Sequence, residues 1–302
     1  MAEFVPEVGA PAPHRDVIRL RGVRAHGHHG VLEHERRDGQ EFLADVALHL
    51  ALAPAARGDV LDRTVNYAEV AQILVEEITG PPVDLIETVA ERAAARILAE
   101  HPLVRRLDLV LHKPSAPIPH PFTDVAVEIT RTAPPVEAVL ALGSNLQDRR
   151  ALLERALDLL DGAAEVQRVW TGPILETDPV GGVEQGGFLN TTVGVRTTLG
   201  PWELLGLAHA LERDAHRERQ VRWGPRTLDV DVITWGDLML DDPDLTLPHP
   251  RAHERAFVLA PWHAVRPDDT LVGHDGPRPI ADLLAAAPDR HGLHAARQGD
   301  TD

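Results

Sequence analysis

Cysteine is absent from the 302 residues, and lysine and tyrosine occur once each, as Lys113 and Tyr67. Without thiols there are no disulfides and no thiolate metal sites, so a reducing, cytoplasmic setting is expected. No apolar run approaches the roughly 20 residues of a membrane span, so no membrane partner is expected. The opening stretch MAEFVPEVGAPAPHRD has no basic segment followed by an apolar one; residues 1–15 read as a Pro/Ala-rich disordered arm rather than a secretory signal. Neither GxGxxG nor a Walker A loop occurs, which removes the two common glycine cradles for phosphate. A formal charge of −17 repels polyanions, so no nucleic-acid partner is expected, and any phosphate must be held by a local arginine cluster.

What is present divides into two halves. VIRLRGVRAHG and QEFLADVALHL alternate like half-buried strands, and YAEVAQILVEEI and LIETVAERAAARILAE repeat apolar residues at three and four, the helical period. RLDLVLHK and FTDVAVEITR alternate again, so an order ββααββ is expected over residues 16–132. The paired prolines of RTAPPVEA mark a linker at 133–138. A second α+β domain is expected at 139–290, with strands at EAVLALGSN, FLNTTVGVRTTL and RTLDVDVITW and a helix at PWELLGLAHALERDA. Ser144 and Asn145 are the expected N-cap residues for the helix LQDRRALLERALDLL, and 291–302 reads as a tail.

Three features of the first half suggest chemistry. His26 and His28 in HGHHG would share one face of a strand and could chelate zinc; no third ligand at suitable spacing is evident, so polar residues at a strand end are the preferred reading and no metal is expected there. Lys113 is the one cation that has not become arginine. An amine can release its proton when its surroundings demand it, whereas a guanidinium cannot, so acid/base work is a reason to keep it. Tyr67 is a phenol able to donate and accept.

With TVNYAEV, DLIETVAER, LHKPSAPIP and the turn HHGVLEHERRDGQEF, the stretch from about Asp16 to Arg131 resembles dihydroneopterin aldolase. The resemblance implies the tunnelling fold and a ring-shaped homo-oligomer, a tetramer or octamer, with active sites between subunits. It further implies that Glu87 binds the amino-pyrimidinone edge of a pterin, that Tyr67 comes from the adjacent subunit, and that Glu35 and Lys113 handle protons. Chemistry agrees: a carboxylate takes two parallel hydrogen bonds from such an edge. Because the C6=N5 imine of the dihydropterin already accepts the electrons of a retro-aldol cleavage, no cofactor is implied for this half. His26 and His28 stand where that family usually carries aromatics.

In the second half RERQVRWGPRTLDVDVI places Arg217, Arg219, Arg222 and Arg226 ahead of Asp229 and Asp231. Alternate positions on a strand put both aspartates on one face, about 6.6 Å apart along the backbone. Such a pair suits Mg²⁺, with arginines taking the remaining phosphate charge. LGSN, LETDPVGG, GGFLN, RWGPRTLDVD and LPHPRAHERAFVL resemble 6-hydroxymethyl-7,8-dihydropterin pyrophosphokinase over roughly Val136 to Pro267. The resemblance implies a ferredoxin-like α+β layer, ATP as co-substrate and two Mg²⁺ ions on Asp229 and Asp231. Arg217, Arg219, Arg226, His249 and Arg255 would contact phosphates or the closing loop, with Glu212 and Thr246 along the nucleotide. Phe188 and Phe257 would sandwich the pterin, Asn190 would hydrogen-bond it, and Trp223 could cover the site. His216 and Asp244 depart from the pattern of some relatives. The expectation is a bifunctional folate-biosynthesis enzyme acting on pterins and ATP; the alternatives are a pterin-binding scaffold with one active half and a metal-dependent aldolase.

Overall fold

The computed structural model describes residues 16–178, 186–216, 227–273 and 276–295, which fall into two compact units, Pro13–Pro134 and Pro135–Asp302. The first contains β1 (Val17–Gly27), α1 (Glu33–Asp38), β2 (Gln40–His49), α2 (Ala53–Gly58), α3 (Tyr67–Thr79), α4 (Ile86–Glu100), β3 (Arg106–His112) and β4 (Ala126–Thr132). The strands form one antiparallel sheet in the order β1-β2-β3-β4. Period-two burial of Phe42, Ala44, Val46 and Leu48 on β2 and of Leu107, Leu109 and Leu111 on β3 makes one face apolar. Val70, Ile73, Leu74 and Ile78 of α3 and Val89, Ala90, Ala93 and Ile97 of α4 complete that core. Each large side chain so buried contributes about 1.5–3 kcal/mol. Asn66 caps α3 by accepting the Ala68 N–H at 3.1 Å.

The second unit contains β5 (Val136–Ser144), α5 (Arg149–Asp161), β6 (Val166–Thr171), β7 (Leu175–Thr177), β8 (Phe188–Thr197), α6 (Pro201–Asp214), β9 (Asp229–Trp235), α7 (Ala256–Val265), β10 (Thr270–Gly273), β11 (Gly276–Pro279), α8 (Ile280–Ala286) and β12 (Leu293–Ala295). Its main sheet is antiparallel, ordered β12-β7-β8-β5-β9 with β6 also on β8. Val139, Ala141 and Ile233 pack with α7 and α8 on one face. The alternate residues Leu140, Leu142, Val230 and Val232 are buried on the other, where α5 meets β5 and α6 meets β9. The whole chain is thus a mixed α/β protein with antiparallel sheets.

Several local expectations change. Helix α5 is capped by Asp148, whose Oδ1 accepts the Ala151 N–H at 3.0 Å, and not by Ser144 or Asn145: β5 still holds Ser144, and the helix starts at Arg149. The linker is shorter than 133–138, because Val136 already pairs with Thr197. The presumed tail from 291 holds β12, which pairs with β7. Helices α1 and α2, six residues each, went unrecognised because so short a segment displays no helical period.

Candidate functional sites

In the first unit the chain between β1 and β2 folds into α1 so that Glu35, at its third position, turns inward. Glu35 is 3% exposed and Lys113, just past the end of β3, is 8% exposed. The Lys113 Nζ donates to Glu35 Oε1 at 2.6 Å and to the His29 carbonyl at 3.3 Å, and lies 5.9 Å from the centre of the Phe42 ring. Glu35 Oε2 accepts the Leu32 N–H at 3.0 Å, half of a capping box. Burial pushes the Glu35 carboxyl up, but the Lys113 and Leu32 hydrogen bonds and the lysine charge outweigh it and hold the group below its ordinary range. Gly30 permits the approach: at φ +148, a Cβ there would stand 2.4 Å from the Glu35 carboxyl carbon.

The histidine run resolves into three roles. His26 Nε2 and His28 Nδ1 lie 3.0 and 3.1 Å from the Asp38 and Arg36 carbonyls, so their rings fasten the end of α1 to β1. His29, which the sequence reading passed over, is 1% exposed, and burial lowers its pKa. Tyr67 and Glu87 lie in the first turns of α3 and α4. Both are exposed, and among the described residues no hydrogen bond links either to the Glu35–Lys113 pair. Val31, Leu32, Leu61 and Leu85 are exposed apolar neighbours in sequence of these residues.

In the second unit the central strands converge at Gly143, which pairs with Asn190 on one side and Asp229 on the other. A Cβ at Gly143 would lie 2.6 Å from Asn190 Oδ1, so glycine makes room for that amide, which is buried and donates to Thr177 Oγ1 at 2.8 Å. Asp229 and Asp231 are half-buried on the same face of β9, with Val230 and Val232 buried on the other. Arg255 Nη1 is 3.3 Å from Asp231 Oδ2, and its guanidinium carbon is 5.4 Å from the centre of the Phe257 ring. His249 Nδ1 accepts the Arg251 N–H at 3.2 Å, which places the ring proton on Nε2, 3.9 Å from Asp231 Oδ2. Burial first, then the Arg255 charge, lowers the His249 pKa to about 4.

Asp229, Asp231, Asn190, His249, Arg255 and Phe257 are therefore joined through one sheet end. Phe188, half-buried, opens β8 two residues before Asn190. Thr246 donates to the Asp242 carbonyl at 3.0 Å, and Glu212 is buried and accepts the Val230 N–H at 3.1 Å, behind the strand that carries the aspartates. Arg217, Arg219, Arg222, Trp223 and Arg226 lie outside the described residues. Arg149 was not anticipated: its Nη1 donates to Glu176 Oε1 at 3.1 Å and to the Gly187 carbonyl at 2.7 Å, fixing the residue before Phe188.

Comparison with known proteins divides along the same boundary. The dihydroneopterin aldolase family model matches residues 18–130, and that of 7,8-dihydro-6-hydroxymethylpterin-pyrophosphokinase matches residues 139–267. Dihydroneopterin aldolase of Streptomyces coelicolor is 48% identical over 117 residues, 39% of this chain and 98% of that protein. The 2-amino-4-hydroxy-6-hydroxymethyldihydropteridine pyrophosphokinase of Bacillus subtilis is 46% identical over 124 residues, 41% of this chain and 74% of that protein. The crystal structure of Escherichia coli dihydroneopterin aldolase in complex with neopterin covers 38% of this chain and 98% of that chain at 26% identity, with a TM-score of 0.36. Through its first unit the chain belongs to the dihydroneopterin aldolase family, and through its second to the hydroxymethyldihydropterin pyrophosphokinase family.

Proposed function

We propose that the chain catalyses two consecutive steps of folate biosynthesis: retro-aldol cleavage of 7,8-dihydroneopterin, then pyrophosphorylation of the 6-hydroxymethyl-7,8-dihydropterin so formed. The observation that carries the first step is the buried Lys113–Glu35 pair at 2.6 Å. In that step a base removes the proton of the side-chain hydroxyl on C2′, the C1′–C2′ bond breaks, and glycolaldehyde leaves. The electron pair moves into the C6=N5 imine, and a proton returned to C1′ gives the hydroxymethyl product. Lys113 and Glu35 are the proton-handling groups, Tyr67 assists as a relay, and Glu87 holds the amino-pyrimidinone edge.

The exposure of Tyr67, with no hydrogen bond to the pair among the described residues, supports a site completed by a second copy of the chain. Tyr67 is 60% exposed, and Val31 and Leu85 beside the site's elements are 67% and 54% exposed, an apolar surface of the kind a partner covers. The first unit is read as a tunnelling fold assembled into a tetramer or octamer. The second is read as a ferredoxin-like layer.

For the second step, Asp229 and Asp231 offer hard oxygen donors at alternate strand positions. Among the described residues no group of three or more acidic or histidine side chains is poised for a metal. Two carboxylates suit Mg²⁺, which typically takes one or two from protein and its other ligands from substrate phosphates and water. Mg²⁺ bound there would neutralise the triphosphate. Arg255 and His249 reach toward the same phosphates, Arg217, Arg219 and Arg226 supply further positive charge, and Glu212 and Thr246 border the nucleotide. Phe188 and Phe257 hold the flat ring by stacking while Asn190 hydrogen-bonds its edge. The location is read as cytoplasmic, in keeping with a chain that has no cysteine.

The test is to supply the full chain with 7,8-dihydroneopterin alone and then with MgATP. Glycolaldehyde should appear first, and AMP release should require both ATP and the aldolase product. Glycolaldehyde without later AMP, or AMP only from added hydroxymethyldihydropterin, would leave the scaffold reading with one active half.

A further inference from the structure

His29 is buried, lies outside the proposed proton-transfer set and makes more directed contacts than packing requires. Its Nδ1 accepts the Val83 N–H at 3.3 Å, so its proton sits on Nε2, which donates to the Ile78 carbonyl at 2.8 Å near the end of α3. Its own carbonyl accepts Lys113 Nζ at 3.3 Å. Its ring meets Phe42 edge-on, centroids 5.6 Å apart, and Phe42 is the ring beneath the same ammonium. The next residue closes the tie: the Gly30 N–H donates to the Val83 carbonyl at 2.9 Å, so residues 29 and 30 pair with Val83 in both directions. Val83 lies in the short segment between α3 and α4, four residues before Glu87, and Arg36 of α1 bonds both Asp84 of that segment and the Gly30 carbonyl.

From this geometry we infer that His29 is a positioning residue: it sets the register of the Lys113–Glu35 pair against the segment that delivers Glu87. The inference rests on the aldolase reading and adds to it a residue that touches no reacting atom. A neutral imidazole is suited to the task because it offers one donor and one acceptor on opposite sides of a rigid ring. Phenylalanine could keep the edge contact with Phe42 but would lose both hydrogen bonds. Asparagine places its carbonyl oxygen near the Nδ1 position and keeps the Val83 bond alone.

The experiment uses the full chain as His29→Phe and His29→Asn. Aldolase kcat and KM, pyrophosphokinase turnover and hydrogen exchange at the Val83 amide are measured on each. His29→Phe should lower aldolase kcat/KM roughly tenfold or more, since small displacements of catalytic groups are costly, and should speed Val83 exchange while leaving pyrophosphokinase turnover unchanged. His29→Asn should keep Val83 protected and recover KM to near the wild-type value. A residue that only fills the core predicts instead that the two variants lose activity in proportion to lost stability, with Phe the better replacement. His29→Phe within twofold of wild type, or a folded His29→Asn with Val83 protected but KM no better than that of His29→Phe, would overturn the inference. Should His29→Phe not fold, His29→Asn decides alone, by whether KM and Val83 protection stay at the wild-type level. A wild-type chain that does not cleave 7,8-dihydroneopterin would defeat the aldolase reading instead, and Val83 exchange would still report whether His29 holds its segment.

Discussion

Replacing Lys113 by methionine leaves Glu35 as a carboxylate that is 3% exposed and stripped of its cation. Breaking a buried ion pair by removing one partner costs about 3–5 kcal/mol, a large part of the 5–15 kcal/mol that holds a typical domain folded. The surviving Leu32 N–H bond limits the loss toward the lower figure. The loss should depend on pH with a definite sign. In the native protein the Glu35 carboxyl titrates below its ordinary value, so its contribution is present above about pH 4.3 and fades only as pH falls through the lower folded-state value. In Lys113→Met the upward push of burial is opposed mainly by the Leu32 bond, and the folded state favours the neutral acid. Destabilisation is then greatest at neutral pH and shrinks on acidification toward about pH 4, at about 1.4 kcal/mol per unit of displaced pKa. All five tryptophans follow residue 134, so their emission reports the second unit, while the single tyrosine, Tyr67, reports the first and far-ultraviolet dichroism sums both. Urea titrations at pH 7 and 4.5 should show the Lys113→Met first-unit transition shifted to lower urea, more at pH 7, with the tryptophan transition unmoved. Lys113→Arg keeps the cation and should be much the more stable of the two, yet both should lose roughly 10²–10⁴ of aldolase rate. A Lys113→Met protein as stable as wild type at pH 7, or equally destabilised at both pH values, refutes the buried-pair argument; full aldolase rate in Lys113→Arg refutes the proton-transfer role.

Mixing Tyr67→Phe and Lys113→Ala subunits, each inactive as aldolase, should restore part of the activity once subunits exchange; exchange demonstrated without recovery rules out a shared site. Gly30→Ala should cut aldolase rate at least about tenfold, because the new Cβ occupies the position of the Glu35 carboxyl and φ +148 strains any L residue; normal activity would show that Glu35 is free to move. Asp229→Ala and Asp231→Ala should each abolish AMP release across a magnesium titration while sparing the aldolase, more severely than loss of any single arginine, since Mg²⁺ holds its geometry strictly. Wild-type turnover in either would place the cation elsewhere.

The long elements are legible in the chain because their burial periods are. α3 and α4 run 13 and 15 residues, enough for several repeats of the helical spacing, and β2 alternates through Phe42, Ala44, Val46 and Leu48. Helix α1 is too short and too polar to announce itself, although it carries Glu35 inward. The same limit explains the misplaced cap: Ser144, Asn145 and Asp148 are all capable cap residues, and which one serves depends on where β5 releases the chain. HGHHG offers the eye three equivalent imidazoles, and only their surroundings separate the two that bind carbonyls of α1 from the one that is buried.

By itself the sequence determined the residue types available for chemistry: a lone amine, a lone phenol, two aspartates at strand spacing and no thiol. It also determined the division into two halves, because composition, period and proline content are properties of neighbouring residues. The tertiary structure decided which groups meet. Lys113 and Glu35 are 78 residues apart, and Arg255 and Asp231 are 24 apart. No local preference brings such pairs to hydrogen-bond distance; sheet closure and helix packing do so. That same packing excludes water from Glu35 and His29, which is why their protonation could not be read from the chain alone.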